Sequence, residues 1–154
     1  MPTANHTQKQ RRVIDSPGIA FPAALASGIC VLWLLKIVTS PNASTAHPVP
    51  SVLFYLKVIL LFPFLEEYLF RGVLQGALAK RPWGAHRVCG ILSFANIIAS
   101  LVFTVFHTLY HPPLWAASVF IPSLLFGCFK DQYDTIAYSF LLHMFFNAGY
   151  YVWF

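Results

Sequence analysis

The chain has 154 residues, of which 58% are hydrophobic and only 10% charged. A soluble domain carries about 25% charged residues, so this composition excludes an ordinary soluble protein and indicates a one-domain integral membrane protein. The net charge of +5 is not a nucleic-acid signature. Lys9, Arg11, Arg12, Lys80, Arg81 and Arg87 sit at the ends of apolar segments, where membrane topology uses them, and no nucleic-acid partner is expected.

Residues 1–17 form a polar, basic tail. The first apolar segment, 19–39, approaches the ~20 residues needed to span a bilayer. It exceeds the ~7–15 of a signal sequence's apolar core, so a retained helix is expected. A Pro/Ser/Thr loop, 40–51, leads to a long segment, 52–79. At about 1.5 Å per residue this segment is longer than a ~30 Å hydrocarbon core, and Pro63 is the expected point of distortion. Gly72 and Gly76 form a GxxxG step, read as a site of tight helix packing. A basic loop, 80–87, precedes a third apolar segment, 88–110. A short fourth, 114–129, contains Pro122 and Gly127 and ends at the polar break Lys130–Asp134. A fifth covers 135–154.

The expected architecture is therefore all-α. It is a polytopic transmembrane bundle of about five spans over 18–154, with its chemistry-bearing core at about 52–154. The basic tail, the 80–87 loop and Lys130 alternate with uncharged connections, which places the N-terminus in the cytoplasm and the C-terminus outside. Cys30, Cys89 and Cys128 are odd in number, lack a CxxC pair and lie in or beside apolar segments. They are expected to be free thiols rather than a disulfide framework or zinc knuckle.

The only two glutamates, Glu66 and Glu67, lie side by side in segment two, with Arg71 four residues past the second. A charge at the bilayer centre costs at least ~2.5–3.5 kcal/mol, so three such groups require a purpose. Glu67 and Arg71 are spaced to pair on one helical face. Glu66 has Phe70 at the matching position, and an unpaired carboxylate beside a paired one is the candidate for chemistry. Segment three offers Asn96, Ser100, Thr104 and His107, and segment five Tyr138, Ser139, His143 and Asn147. His143 and Asn147 share a face, and all three segments present polar groups at comparable depth. These groups are expected to converge on one site in the bundle interior.

EEYLFR fits EExxxR, FTVFH fits FxxxH and HMFFN fits HxxxN. The three motifs, in that order on separate apolar segments, resemble the CPBP family of CAAX-prenyl-protease-type and bacteriocin-processing intramembrane proteases. The resemblance covers 52–154, and the chain is short for that family. It implies peptide-bond hydrolysis within the bacterial cytoplasmic membrane, on a membrane protein carrying a transmembrane or C-terminal anchor segment. Glu66, helped by His107, would activate a water. His143 and Asn147 would stabilise the oxyanion, and Glu67 and Arg71 would brace the site. No cofactor is favoured. A zinc ion on Glu66, His107 and His143 is the alternative mechanism, since two His and a carboxylate are a known catalytic set. Two non-protease readings remain. One is a non-catalytic scaffold or bacteriocin-immunity-like protein, and the other a proton-coupled carrier, which the lack of an internal repeat disfavours.

Overall fold

The computed structural model describes residues 20–39, 50–88 and 90–153. The expected tail at 1–17, the loop at 40–49 and Cys89 lie outside the described residues. The described chain is mostly helical, in keeping with the all-α expectation. Helix α1 is Ala20–Thr39. Helix α2 is a continuous run over 52–79, opened by Ser51, whose side chain accepts from the Phe54 amide. Helix α3 is Phe94–His107, α4 Pro113–Ser118, α5 Phe120–Tyr133 and α6 Ala137–Trp153.

Helix α2 is not uniformly α-helical. It widens to π-helical bonding over Leu56–Leu61 and again over Tyr68–Gln75. The first stretch ends two residues before Pro63, and the Phe62 amide bonds the Lys57 carbonyl five residues back. Proline lacks an amide hydrogen and its ring collides with the carbonyl four residues earlier, so the wider turn is how the run passes Pro63 without ending. The second stretch buries Phe70, Arg71 and Gln75.

The third apolar segment begins later than its hydropathy indicates. Residues 88–93 are spent on a small antiparallel hairpin, β1 (Arg87–Val88) with β2 (Leu92–Ser93), turned at Gly90 with φ +72°. Ser93 then caps α3, accepting from the Asn96 amide at 3.0 Å. The expected polar break at Lys130–Asp134 is also corrected. Helix α5 runs through Lys130 and Asp131 to Tyr133 and stops at Asp134, in the left-handed region at φ 50°. Lys130 Nζ donates to Asp134 at 2.7 Å, which holds that exposed carboxyl below the ordinary carboxylate range. With α4 before it, this region becomes the helical stretch Pro113–Tyr133. Among the described residues it is the one long and apolar enough to cross a membrane.

Helix α3 packs on α2 and α5, and α6 packs on α1, α2 and α5. The apolar core joins Ala24, Phe126, Phe129 and Leu142, with Phe21 and Phe146 against it. The two ends of the bundle differ. At one end lie Lys80, Arg81, Arg87 and the Ser93–Asp131 hydrogen bond. At the other, Phe54 meets Tyr151 and Trp115 meets Tyr150, with ring centroids 5.6 and 5.8 Å apart.

The GxxxG expectation fails. A Cβ added at Gly72 meets Ile136 no closer than 3.7 Å, and one at Gly76 meets only the Arg71 carbonyl of its own helix, at 3.8 Å. Close approaches are found instead at Gly28 on α1, where a Cβ would lie 2.7 Å from the Phe146 ring, and at Gly127 on α5, where it would fall on the Asn96 side chain of α3. Gly127→Ala should therefore cost about 1–3 kcal/mol, as overpacking does. Gly76→Ala should be neutral or stabilising by about 0.4–1 kcal/mol. Thermal unfolding of both variants in detergent micelles checks the contrast, and the reverse order would refute this account of helix contact.

Candidate active site

Three helices contribute polar or small residues at four-residue spacing: Glu67, Arg71 and Gln75 on α2, Asn96, Ser100 and Thr104 on α3, and Ser123, Gly127 and Asp131 on α5. Each stripe faces the others, and hydrogen bonds within and between the helices join them. Arg71, 0% exposed, sits where the stripes meet. Its Nη1 donates to Gln75 Oε1 at 3.4 Å and Ser100 Oγ at 3.3 Å. Its Nη2 donates to the Ser123 carbonyl at 2.8 Å and hydroxyl at 2.6 Å. Ser100 passes its own hydrogen to Asn96 Oδ1 at 3.0 Å, and the Asn96 amide donates to the Leu124 carbonyl at 2.9 Å.

The Arg71 Nε faces Glu67 Oε2 at 3.5 Å, and among the described residues neither atom has another partner. This is the pair expected from the spacing, with both side chains wholly out of contact with solvent. The other Glu67 oxygen, Oε1, lies 3.0 Å from His143 Nδ1 on α6. A carboxylate can only accept, so Nδ1 carries the hydrogen. The opposite ring nitrogen, Nε2, then points at Glu66 Oε2, 3.5 Å away. His143 is thus held between the two adjacent glutamates, one carboxylate on each nitrogen. Glu67 is 0% exposed and the Glu66 side chain 25%, so one glutamate is structural in position and the other is open to an incoming molecule.

The other candidates lie around this pair. His107, half-buried near the end of α3, bonds the Phe103 carbonyl through Nδ1 at 2.9 Å. That bond places its hydrogen on Nδ1 and leaves Nε2 as the basic nitrogen. The Phe103 ring stands between the two histidines, 4.3 Å from His107 and 5.9 Å from His143 by centroids, and Phe126 stacks on His143 at 5.0 Å. Asn147, one turn past His143, donates to the Val58 carbonyl at 2.9 Å. That uses one of its two amide hydrogens and ties α6 to the π-helical part of α2. The structure therefore brings Glu66, Glu67, Arg71 and His143 into direct contact. It sets His107 across Phe103 and engages Asn147 with backbone. Among the described residues, no three His, Cys, Asp or Glu side chains are grouped to hold a metal ion.

Two members of the network are not among the expected site residues, Ser123 and Asp131. Asp131 reads as a break and Ser123 as a small residue in an apolar helix. Their signal is the four-residue stripe through Gly127, visible only once α5 is known to continue past Lys130.

The family model described as "Type II CAAX prenyl endopeptidase Rce1-like" matches residues 48–149. No curated protein and no solved structure matches the chain.

The asymmetry of the two glutamates can be measured. Glu67→Gln leaves the Arg71 charge buried among neutral acceptors and should cost about 3–5 kcal/mol of stability. Glu66→Gln, at a partly open carboxylate, should cost less than about 1 kcal/mol. Denaturant titration in mixed micelles gives both values, and equal losses would contradict the assignment.

Proposed function

The chain belongs to the Rce1-like family of type II CAAX prenyl endopeptidases, and we propose that it hydrolyses a peptide bond of its substrate with a water activated by Glu66. The family is one of membrane-embedded CAAX-type proteases acting on membrane-anchored proteins. One observation carries the mechanism. His143 has Nδ1 3.0 Å from Glu67 and Nε2 3.5 Å from Glu66, so a partly open carboxylate faces an imidazole whose tautomer is set from behind.

In this reading Glu66 takes the proton of the attacking water. His107, with Nε2 basic, helps to orient and polarise that water. The proton then passes to the leaving amine as the carbon–nitrogen bond breaks. The second Asn147 amide hydrogen, joined by His143 when its Nε2 also carries a hydrogen, stabilises the oxyanion, an effect worth ~3–4 kcal/mol per donor in other proteases. Arg71 fixes Glu67 and so keeps His143 in place. Zinc would use Glu66, His107 and His143, whose hydrogen-bonded Nδ1 atoms also suit metal ligands. The metal-free route is the one proposed here.

The chain is proposed to lie in a bacterial cytoplasmic membrane as a five-span bundle. The basic end of the bundle would face the cytoplasm and the aromatic end, with the C-terminus, the outside. His107 lies toward the aromatic end through His111 and Trp115, with ring centroids 6.1 and 6.3 Å away. That depth suits a protein processed from the outer side at a C-terminal anchor segment better than a prenylated cytoplasmic one.

The test uses proteoliposomes with two reporters, one held by a C-terminal apolar anchor and one prenylated. Wild-type protein is expected to cleave the anchored reporter, and Glu66→Gln to be slower by at least about 100-fold. Elemental analysis of the same sample should find no stoichiometric metal. Equal cleavage by the two proteins would exclude Glu66 as the base, no cleavage by either would indicate a non-catalytic scaffold, and stoichiometric zinc with loss of activity on chelation would establish the metalloprotease route.

A further inference from the structure

Asp131 has no part in the chemistry above, yet both of its carboxylate oxygens are engaged inside the bundle. Oδ1 accepts from Gln75 Nε2 at 2.7 Å, and Oδ2 accepts from Ser93 Oγ at 2.5 Å. Gln75 is 1% exposed, and its Nε2 also donates to the Gly127 carbonyl at 3.0 Å. Two acceptors on one side of the amide assign both of its hydrogens. The amide oxygen must then face the other way, where it accepts from Arg71 Nη1 at 3.4 Å. Turned over, the same amide would set an NH₂ against the guanidinium and its oxygen against a carboxylate. No protein group would hold it in the present orientation as firmly as an acceptor that bears a full charge.

From Arg71 the line continues through Nε to Glu67 Oε2 at 3.5 Å, and from Glu67 Oε1 to His143 Nδ1 at 3.0 Å. Ser93 anchors the far end, since the same hydroxyl that donates to Asp131 caps α3 at the Asn96 amide. We propose that Asp131 is a positioning residue, locking the Gln75 amide in the orientation that aims Arg71 at Glu67 and thereby fixes the His143 ring. The hairpin and the last turn of α5, at the basic end of the bundle, thus set the geometry of a site deeper inside it. The consequence for turnover rests on the protease reading, but the effect on His143 does not.

The test is ¹⁵N NMR of histidine-labelled protein in detergent micelles, with the His143 signals assigned by their loss in His143→Gln. Asp131→Asn keeps the shape but removes the charge, and its single oxygen can accept from Gln75 or from Ser93 but not from both. It is expected to move the His143 Nδ1 and Nε2 shifts toward a tautomeric mixture. Turnover of the anchored reporter should fall about tenfold, with KM within about twofold, as loss of an outer positioning group does. Asp131→Glu should recover part of both. Lys130→Ala, one residue away and paired among the described residues with exposed Asp134, should change neither. Unchanged His143 signals and turnover in folded Asp131→Asn would overturn the proposal. If that variant does not fold, Ser93→Ala removes one of the two bonds to Asp131 and should shift His143 less, in the same direction; no shift there overturns it equally. Shifted signals in a protein whose wild type cleaves neither reporter would keep the positioning role and reject the protease reading.

Discussion

The contact on which the rest of the site depends is the buried pair of Glu67 and Arg71. Neither side chain touches solvent, and in a membrane interior neither finds water. Desolvating two charges costs several kcal/mol each, which the pair alone does not return unless the remaining donors and acceptors are satisfied. That requirement organises the neighbouring helices. Arg71 needs acceptors for its Nη hydrogens and finds them on Ser100 and Ser123. Glu67 needs a donor for its second oxygen and finds His143. Four helices are thus drawn to one point by a single ion pair, and the imidazole is placed as a consequence.

The second glutamate has a different environment for a geometric reason. Adjacent residues on a helix point about a quarter-turn apart, so Glu66 cannot share the Arg71 face. It reaches His143 from the other side and keeps a quarter of its side chain exposed. Two carboxylates of the same type therefore hold one histidine while only one of them is accessible to a substrate. This arrangement suits hydrolysis, which needs one group fixed and another free to meet a water. It also explains why the aromatic rings of Phe103 and Phe126 close around His143. They exclude water from the faces of the ring and leave its edges to the carboxylates.

Much of this was legible in the residue spacing. Glu67 with Arg71 and His143 with Asn147 are four apart, and the burial of charge in an apolar segment identifies them without a structure. The helices at 52–79 and Ala137–Trp153 follow from hydropathy to within a few residues. What was hidden depends on contacts between helices. The GxxxG step at Gly72 and Gly76 looks like a tight interface, but both positions have room for a Cβ, while Gly127 does not because Asn96 lies across from it. Asp131 looks like the start of a loop, since a carboxylate in a helix end is ordinarily solvated. Only the Gln75 amide and the Ser93 hydroxyl, from two other elements, give it a reason to be inside. The widening of α2 before Pro63 is likewise invisible to hydropathy, which does not distinguish α- from π-helical bonding.

The central claim is that Glu66 and His143 act as one catalytic unit. A double-mutant cycle on turnover of the anchored reporter tests it most directly, with Glu66→Gln, His143→Gln and the two combined. Residues that act together are grossly non-additive, so the account predicts that the double variant is no slower than the slower single variant, within about threefold. If the two losses multiply instead, the residues act independently, and the contact between Glu66 and His143 is not the working part of the site.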